Sequence, residues 1–231
     1  MNKNLLAVMV SLALTNTTHV LHAEGNINAG KEKTASCSGC HGAEGNSSSP
    51  NFPKLAQQNP SYLKQQLVAF KVGSRKDIMM STMAKGLSDT DMADIAAYYG
   101  AQKISPNPMP VLAAAADEDD DENSDEQSSI DKKAPKSIED LIKEGSNLYR
   151  NGNLKSDVSA CIACHGPHGE GNKPAAFPAL HAQHAEYLIK TLSDFKSGAR
   201  TTNPDNMMHM IAKKMTSEEI KAVAYRISMM K

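Results

Sequence analysis

A chain of 231 residues with a formal net charge of −1 has no electrostatic basis for binding nucleic acid. Aromatic residues are only 4 % of the chain, so two small domains of this composition would be short of apolar mass without a prosthetic group or metal. All four cysteines fall in two matching pentapeptides, Cys37-Ser38-Gly39-Cys40-His41 and Cys161-Ile162-Ala163-Cys164-His165.

The chain begins with the pattern of a secretory signal. Lys3 is the basic start, Leu5 to Leu14 is an apolar run broken only by Ser11, and cleavage fits after Ala23. The run is too short for an ordinary transmembrane helix, and no other stretch could span a bilayer. Residues 1–23 are therefore expected to be removed and the mature protein to be periplasmic.

A short helix is expected over Asn26 to Ala35, leading into the first pentapeptide. Cys-x-x-Cys-His is the attachment sequence for c-type haem: two thiols on one helical turn add to the two vinyl groups of one porphyrin, and the next residue offers an imidazole to the iron. A redox disulfide explains neither the histidine nor the second copy. A four-ligand zinc site built from both cysteine pairs leaves both histidines unused. Cys37, Cys40, Cys161 and Cys164 are thus read as attachment residues for two covalent haem c groups, with His41 and His165 as axial ligands.

Gly42 to Pro50 reads as loop, and Pro60 to Val72 as a helix with Leu63, Leu67 and Phe70 on one face. Gly73 ends it, and a loop carrying Arg75 and several methionines is expected next. A last helix starts at Ser88, with Asp91 as a capping-box partner and Met92, Ile95, Ala96 and Tyr99 along its apolar face. Pro106, Pro108 and Pro110 then break helix, and Asp117 to Glu122 is a run of six acidic residues. Residues 113–135 are read as a flexible acidic linker. The acidity is concentrated there, because residues 24–112 hold 9 Lys/Arg against 7 Asp/Glu and residues 136–231 hold 13 against 10.

The second half repeats the first. Phe177-Pro178-Ala179-Leu180 matches Phe52-Pro53-Lys54-Leu55. Tyr187, Leu188, Leu192, Phe195, Gly198 and Arg200 match Tyr62, Leu63, Leu67, Phe70, Gly73 and Arg75 at a constant offset of 125. Ile138 to Arg150 is the leading helix, and the last helix is capped by Thr216 and Glu219. The expected organisation is a duplicated three-helix unit: domain 1 over 24–112, the linker over 113–135, and domain 2 over 136–231.

Cys-x-x-Cys-His-Gly, the 51–55 segment, Tyr-Leu-x-x-Gln-Leu at 62–67, Phe-x-x-Gly-x-Arg and the ending at Tyr99 together resemble the cytochrome c4 family. The likeness covers the mature chain except the linker, which is longer than the family pattern suggests. Met215-Thr216 stands where that pattern has Leu-Ser, and Arg226 stands where the first copy has Tyr98. The resemblance implies an all-α fold of two tandem class I cytochrome c-like domains, each a small helical bundle around one haem.

Thirteen methionines make the sixth ligand ambiguous. Counting back from Leu87 and Met215, only Met79 with Met207 and Met80 with Met208 are methionine in both copies. The resemblance selects Met80 and Met208. It also implies that the Pro53 and Pro178 carbonyls accept from the second ring nitrogens of His41 and His165. Arg75 and Arg200 are candidates for neutralising haem propionates. His168, His181, His184 and His209 lack counterparts in the first half and are expected at the surface, with His209 a rival ligand beside Met208.

A six-coordinate His/Met iron has no position for substrate, so the expected role is electron carrier and not enzyme, with no small molecule bound at the metal. The family implies a quinol-oxidising complex as donor and a terminal cytochrome c oxidase as acceptor, with the chain acting as a monomer. Two rivals remain: an electron-accepting subunit of a periplasmic dehydrogenase, and a dihaem enzyme such as a peroxidase or thiosulfate-oxidising cytochrome.

Overall fold

The computed structural model describes residues 25–110, 137–202 and 204–231. The expected signal and the acidic linker lie outside these. The described residues form ten α-helices, one short 3-10 turn and two isolated antiparallel bridges, Asn153 with Val158 and Asn172 with Phe177. None of these helices is long and apolar enough to cross a membrane.

Each half contains five α-helices, two more than periodicity suggested. The first half runs α1 (Ile27–Lys33), α2 (Ala35–His41), α3 (Pro60–Lys71), α4 (Ile78–Lys85) and α5 (Asp89–Gly100). The second runs α6 (Ile138–Asn151), α7 (Ile162–His165), α8 (Ala185–Ser197), α9 (Met207–Ala212) and α10 (Ser217–Ser228). The extra helices are short ones, whose few residues show no apolar period. The haem-binding pentapeptides lie on α2 and α7. The methionine segment expected as loop is instead α4, started by Asp77, whose side chain accepts from the Met80 backbone N–H at 2.9 Å.

The first and last helices of each half cross at a glycine. A Cβ on Gly30 would sit 2.0 Å from the Asp94 carbonyl oxygen, and one on Gly145 2.0 Å from that of Ala222. Only a hydrogen at these positions lets α1 reach α5 and α6 reach α10. Capping boxes fix the start of both last helices: Ser88 and Asp91, and Thr216 and Glu219, each exchange both hydrogen bonds. Met92, Ile95, Ala96 and Tyr99 are buried as the pattern demands, and Ile220, Val223, Ala224 and Ile227 repeat this in the second half. Two separate apolar clusters result, and the second is the larger, adding Leu148, Tyr149, Val158, Met215 and Met230.

The second half carries three more residues between Arg200 and Met208 than the first carries between Arg75 and Met80. They are taken up by the 3-10 turn Pro204–Asn206, where Asp205 and Asn206 adopt positive φ. This local insertion explains why counting from the arginines cannot align the methionines.

Candidate functional site: two ligand frames and the junction between them

Each haem-binding pentapeptide is a helical turn that ends on its histidine. Gly42 and Gly166 follow at φ 80° and 77°, a conformation glycine adopts without penalty, so the chain leaves the helix directly after the ligand. His41 and His165 are 6 % and 7 % exposed. The His41 Nδ1–H donates to the Pro53 carbonyl at 2.8 Å, and the His165 Nδ1–H to that of Pro178 at 3.0 Å. These bonds fix each ring and leave Nε2 as the nitrogen for iron. Burial lowers both imidazole pKa values, partly offset by the proline carbonyl, which keeps the rings neutral and able to ligate.

Burial pushes the Cys37 thiol up, and the Cys161 thiol up to about 11, so neither is poised as a reactive thiolate. No three His, Cys, Asp or Glu side chains cluster as a metal site among the described residues, so the two cysteine pairs do not combine into one zinc site. Two thiols and a neutral imidazole on one turn fit covalent haem in each half.

The candidate sixth-ligand segments lie on α4 and α9. Met80 is partly buried, whereas Met79 is 53 % and Met83 38 % exposed. In the second half Met207 and Met208 are both partly buried and Met210 is exposed. The His209 Nδ1–H donates to the Phe195 carbonyl at 2.7 Å, the same type of bond that holds His41 and His165.

The expectation of surface histidines holds for His168 alone. His181 is buried, with Nδ1 on the Gly169 carbonyl at 3.0 Å. His184 is half-buried and its Nε2–H donates to Ser47 O, in the other half, at 3.0 Å. For His181 and His184, lack of a counterpart in the first copy goes with a specific hydrogen bond rather than exposure.

The halves meet through reciprocal contacts that the offset of 125 carries intact. The Gln58 side chain bonds both backbone groups of Ala179, Nε2 to O at 2.8 Å and Oε1 from N at 2.7 Å. The Gln183 side chain does the same to Lys54, at 2.9 and 2.8 Å. Asn107, beyond the first half's last helix, accepts from Lys54 Nζ and donates to the carbonyls of Ala182, Gln183 and Ser228. The proline-punctuated stretch after α5 is thus a strap across the junction.

Beside these lies a second reciprocal pair. Arg75 Nη2 donates to the Tyr187 hydroxyl at 3.1 Å, and Arg200 Nη2 to the Tyr62 hydroxyl at 2.9 Å. Both guanidiniums also donate to Gln66 Oε1, and they stack on Phe70 and Phe195 at 4.5 and 4.6 Å. No carboxylate forms an ion pair with either arginine among the described residues. Arg200 is 6 % exposed and its buried Nε has no acceptor. Burial pushes the Tyr187 phenol up, but the two guanidiniums outweigh it and draw the phenol below its ordinary value. Buried positive charge with an orphaned donor fits carboxylates, and the haem propionates would supply them here.

The comparisons agree with this frame. The cytochrome c family model matches twice, over residues 27–102 and 142–228. Cytochrome c4 of Azotobacter vinelandii is 40 % identical over 234 residues, covering 97 % of each chain. The chain belongs to the cytochrome c4 family. The crystal structure of reduced recombinant cytochrome c4 from Pseudomonas stutzeri superposes with a TM-score of 0.75 at 37 % identity, covering 90 % of this chain and all of that one. A thiosulfate dehydrogenase electron acceptor from Thiomonas intermedia is 35 % identical, over 85 % of this chain and 79 % of its own. Like cytochrome c4, this chain consists of two cytochrome c domains, carries two covalent haem c groups and is an electron carrier.

Proposed function

We propose that the chain is a periplasmic electron shuttle whose two irons are held by His41 with Met80 and by His165 with Met208. The observation that carries this is the paired histidine–proline hydrogen bond, repeated in both halves around neutral, buried rings. The partial burial of Met80 against the exposure of Met79 and Met83 supports the first methionine, and the family register supports both. Bound haem supplies one-electron exchange between ferrous and ferric iron. The protein's part is to fix each imidazole, exclude water with the apolar clusters, and hold the two units rigidly through Gln58, Gln183 and Asn107. Arg75 and Arg200 lie at that same junction and would hold haem propionates there, which suits transfer between the two units.

The proposed domain limits are 24–112 and 136–231, joined by residues 113–135 after removal of 1–23. In this reading a quinol-oxidising complex donates and a terminal cytochrome c oxidase accepts. The Thiomonas intermedia relative favours a second reading, in which a thiosulfate dehydrogenase or similar periplasmic dehydrogenase is the donor. Redox titration of the mature protein, followed by absorbance, tests the common core: two one-electron components at positive potential are expected. Rapid reduction by quinol-oxidising membranes but not by a thiosulfate dehydrogenase would favour the first donor, and the converse the second.

A further inference from the structure

A cavity of about 360 Å³ opens beside the second haem-binding motif, between α6, α7 and α10. Arg150, Ile162, His168, Arg226, Met229 and Lys231 line it. Ile162 sits between Cys161 and Cys164, so this cavity opens directly beside the second attachment motif. Arg150 is exposed and Arg226 partly so, and neither has an ion pair among the described residues. The nearby Glu170 carboxylate is already accepting from the His168 backbone N–H at 2.9 Å.

The first half lacks these side chains at the matching positions. Counted from Gly30 and Gly145, Arg150 corresponds to Ala35. Counted from Cys37 and Cys161, Ile162 corresponds to Ser38 and His168 to Glu44. Arg226 corresponds to Tyr98. The hydroxyl of Tyr98 anchors the loop after its haem motif, donating to Ala43 O at 3.0 Å. In the second half that task passes to Tyr149, on the leading helix, which donates to Gly166 O at 2.6 Å. Moving the anchor from the last helix to the first frees position 226 for an arginine. The result is two guanidiniums over an apolar floor beside the second haem-binding motif.

We propose that this cavity is the docking port for carboxylate side chains of an acidic redox protein, and that electrons enter or leave the chain through the second haem. The proposal rests on the electron-carrier reading and adds a direction to it. Two guanidiniums present paired donors to carboxylates, and the apolar floor excludes water once a partner covers it. One competitor is in the chain itself. Asp117 to Glu122 begins ten residues after Asn107, whose side chain bonds the carbonyl of Ser228, next to Met229. Ten residues of extended chain reach about 33 Å, enough to bring that acidic run to the cavity.

The test uses the full dihaem protein, with hexacyanoferrate(III) as anionic electron acceptor and poly-L-glutamate as a carboxylate-bearing competitor. At low ionic strength, the double variant Arg150→Glu/Arg226→Glu should slow oxidation by about 10-fold and abolish competition by polyglutamate, with both potentials unmoved. Arg150→Gln/Arg226→Gln, which removes the charge without reversing it, should give an intermediate loss. Lys31→Glu, on the leading helix of the first half, should change neither. An unchanged rate in the charge-reversed protein, or an equal effect from Lys31→Glu, overturns the proposal. If replacing residues 117–122 by serine and glycine accelerates the reaction, the chain's own acidic run is the occupant and the partner assignment falls. Failure of the carrier reading would show separately, in the redox titration, whatever the salt and charge variants do.

Discussion

His41 donates to Pro53 O at 2.8 Å and His165 to Pro178 O at 3.0 Å; Gly30 and Gly145 let the terminal helices cross at the same closeness. Yet the apolar cluster of the second half is larger, its leading helix is twice as long, and its haem motif borders a cavity lined by Arg150 and Arg226. The halves agree in the bonds that hold the histidine rings and in the paired glutamine contacts of the junction. They differ at the Asn107 strap, at His184 and on their outer faces. Duplication followed by divergence at the outer faces gives a pair of similar centres with different environments, which is what directional transfer through one chain needs.

The largest way to break the equivalence is at the sulfur ligands. Met80→His should lower the potential of the first haem by on the order of 0.1 V, a fraction of the roughly 0.8 V that axial ligands command, and leave the second nearly unmoved. Met208→His should do the reverse, and a spectroelectrochemical titration reads both.

The helix crossings come next. Gly145→Ala forces a Cβ into the Ala222 carbonyl and should cost about 1–3 kcal/mol, seen as a lower denaturant midpoint for the second half. Gly30→Ala should do the same to the first half. Equal loss in both halves from either variant would mean that they unfold as one unit.

The junction is expected to respond symmetrically. Gln58→Ala strands the N–H and C=O of Ala179, and Gln183→Ala those of Lys54, each costing about 1–3 kcal/mol of docking between halves. Hydrogen exchange at Ala179 and at Lys54, respectively, should accelerate, while each apolar cluster stays protected.

The smallest effect is electrostatic and confined to the first half. Lys33 bridges Asp91 and Asp94 at 2.7 Å each, and this pairing lowers both carboxyl pKa values. A depressed folded pKa means that the stabilisation is present above the unfolded value, about 3.9, and is lost as pH falls through the folded values. Lys33→Met should therefore flatten the acid limb of the first half's stability curve and leave the second half's unchanged.

Much of this architecture is legible in the chain itself. The pentapeptides identify the haem sites because their residue order is dictated by thioether chemistry. The apolar periods locate α3, α5, α8 and α10. What escapes the pattern has physical causes. Helices α2, α4, α7 and α9 are too short for a period to emerge. Gln58 and Gln183 are ordinary polar residues in sequence, and their role comes only from facing each other's backbone. The constant offset that matches Tyr62 to Tyr187 also pairs these glutamines and so held the signal. His181 and His184 escape for the opposite reason, since their hydrogen bonds have no equivalent in the first half.

One methionine per iron in each half is the assignment on which the carrier chemistry depends most directly. Ferric haem with a thioether ligand shows a weak near-infrared sulfur-to-iron band, so its intensity in single variants is the decisive measurement. Met80→His and Met208→His should each remove about half of it, and Met79→Leu and Met207→Leu should retain it all. Loss of the band in Met79→Leu with retention in Met80→His would contradict the assignment, and an unchanged band in both Met80→His and Met208→His would contradict methionine ligation altogether.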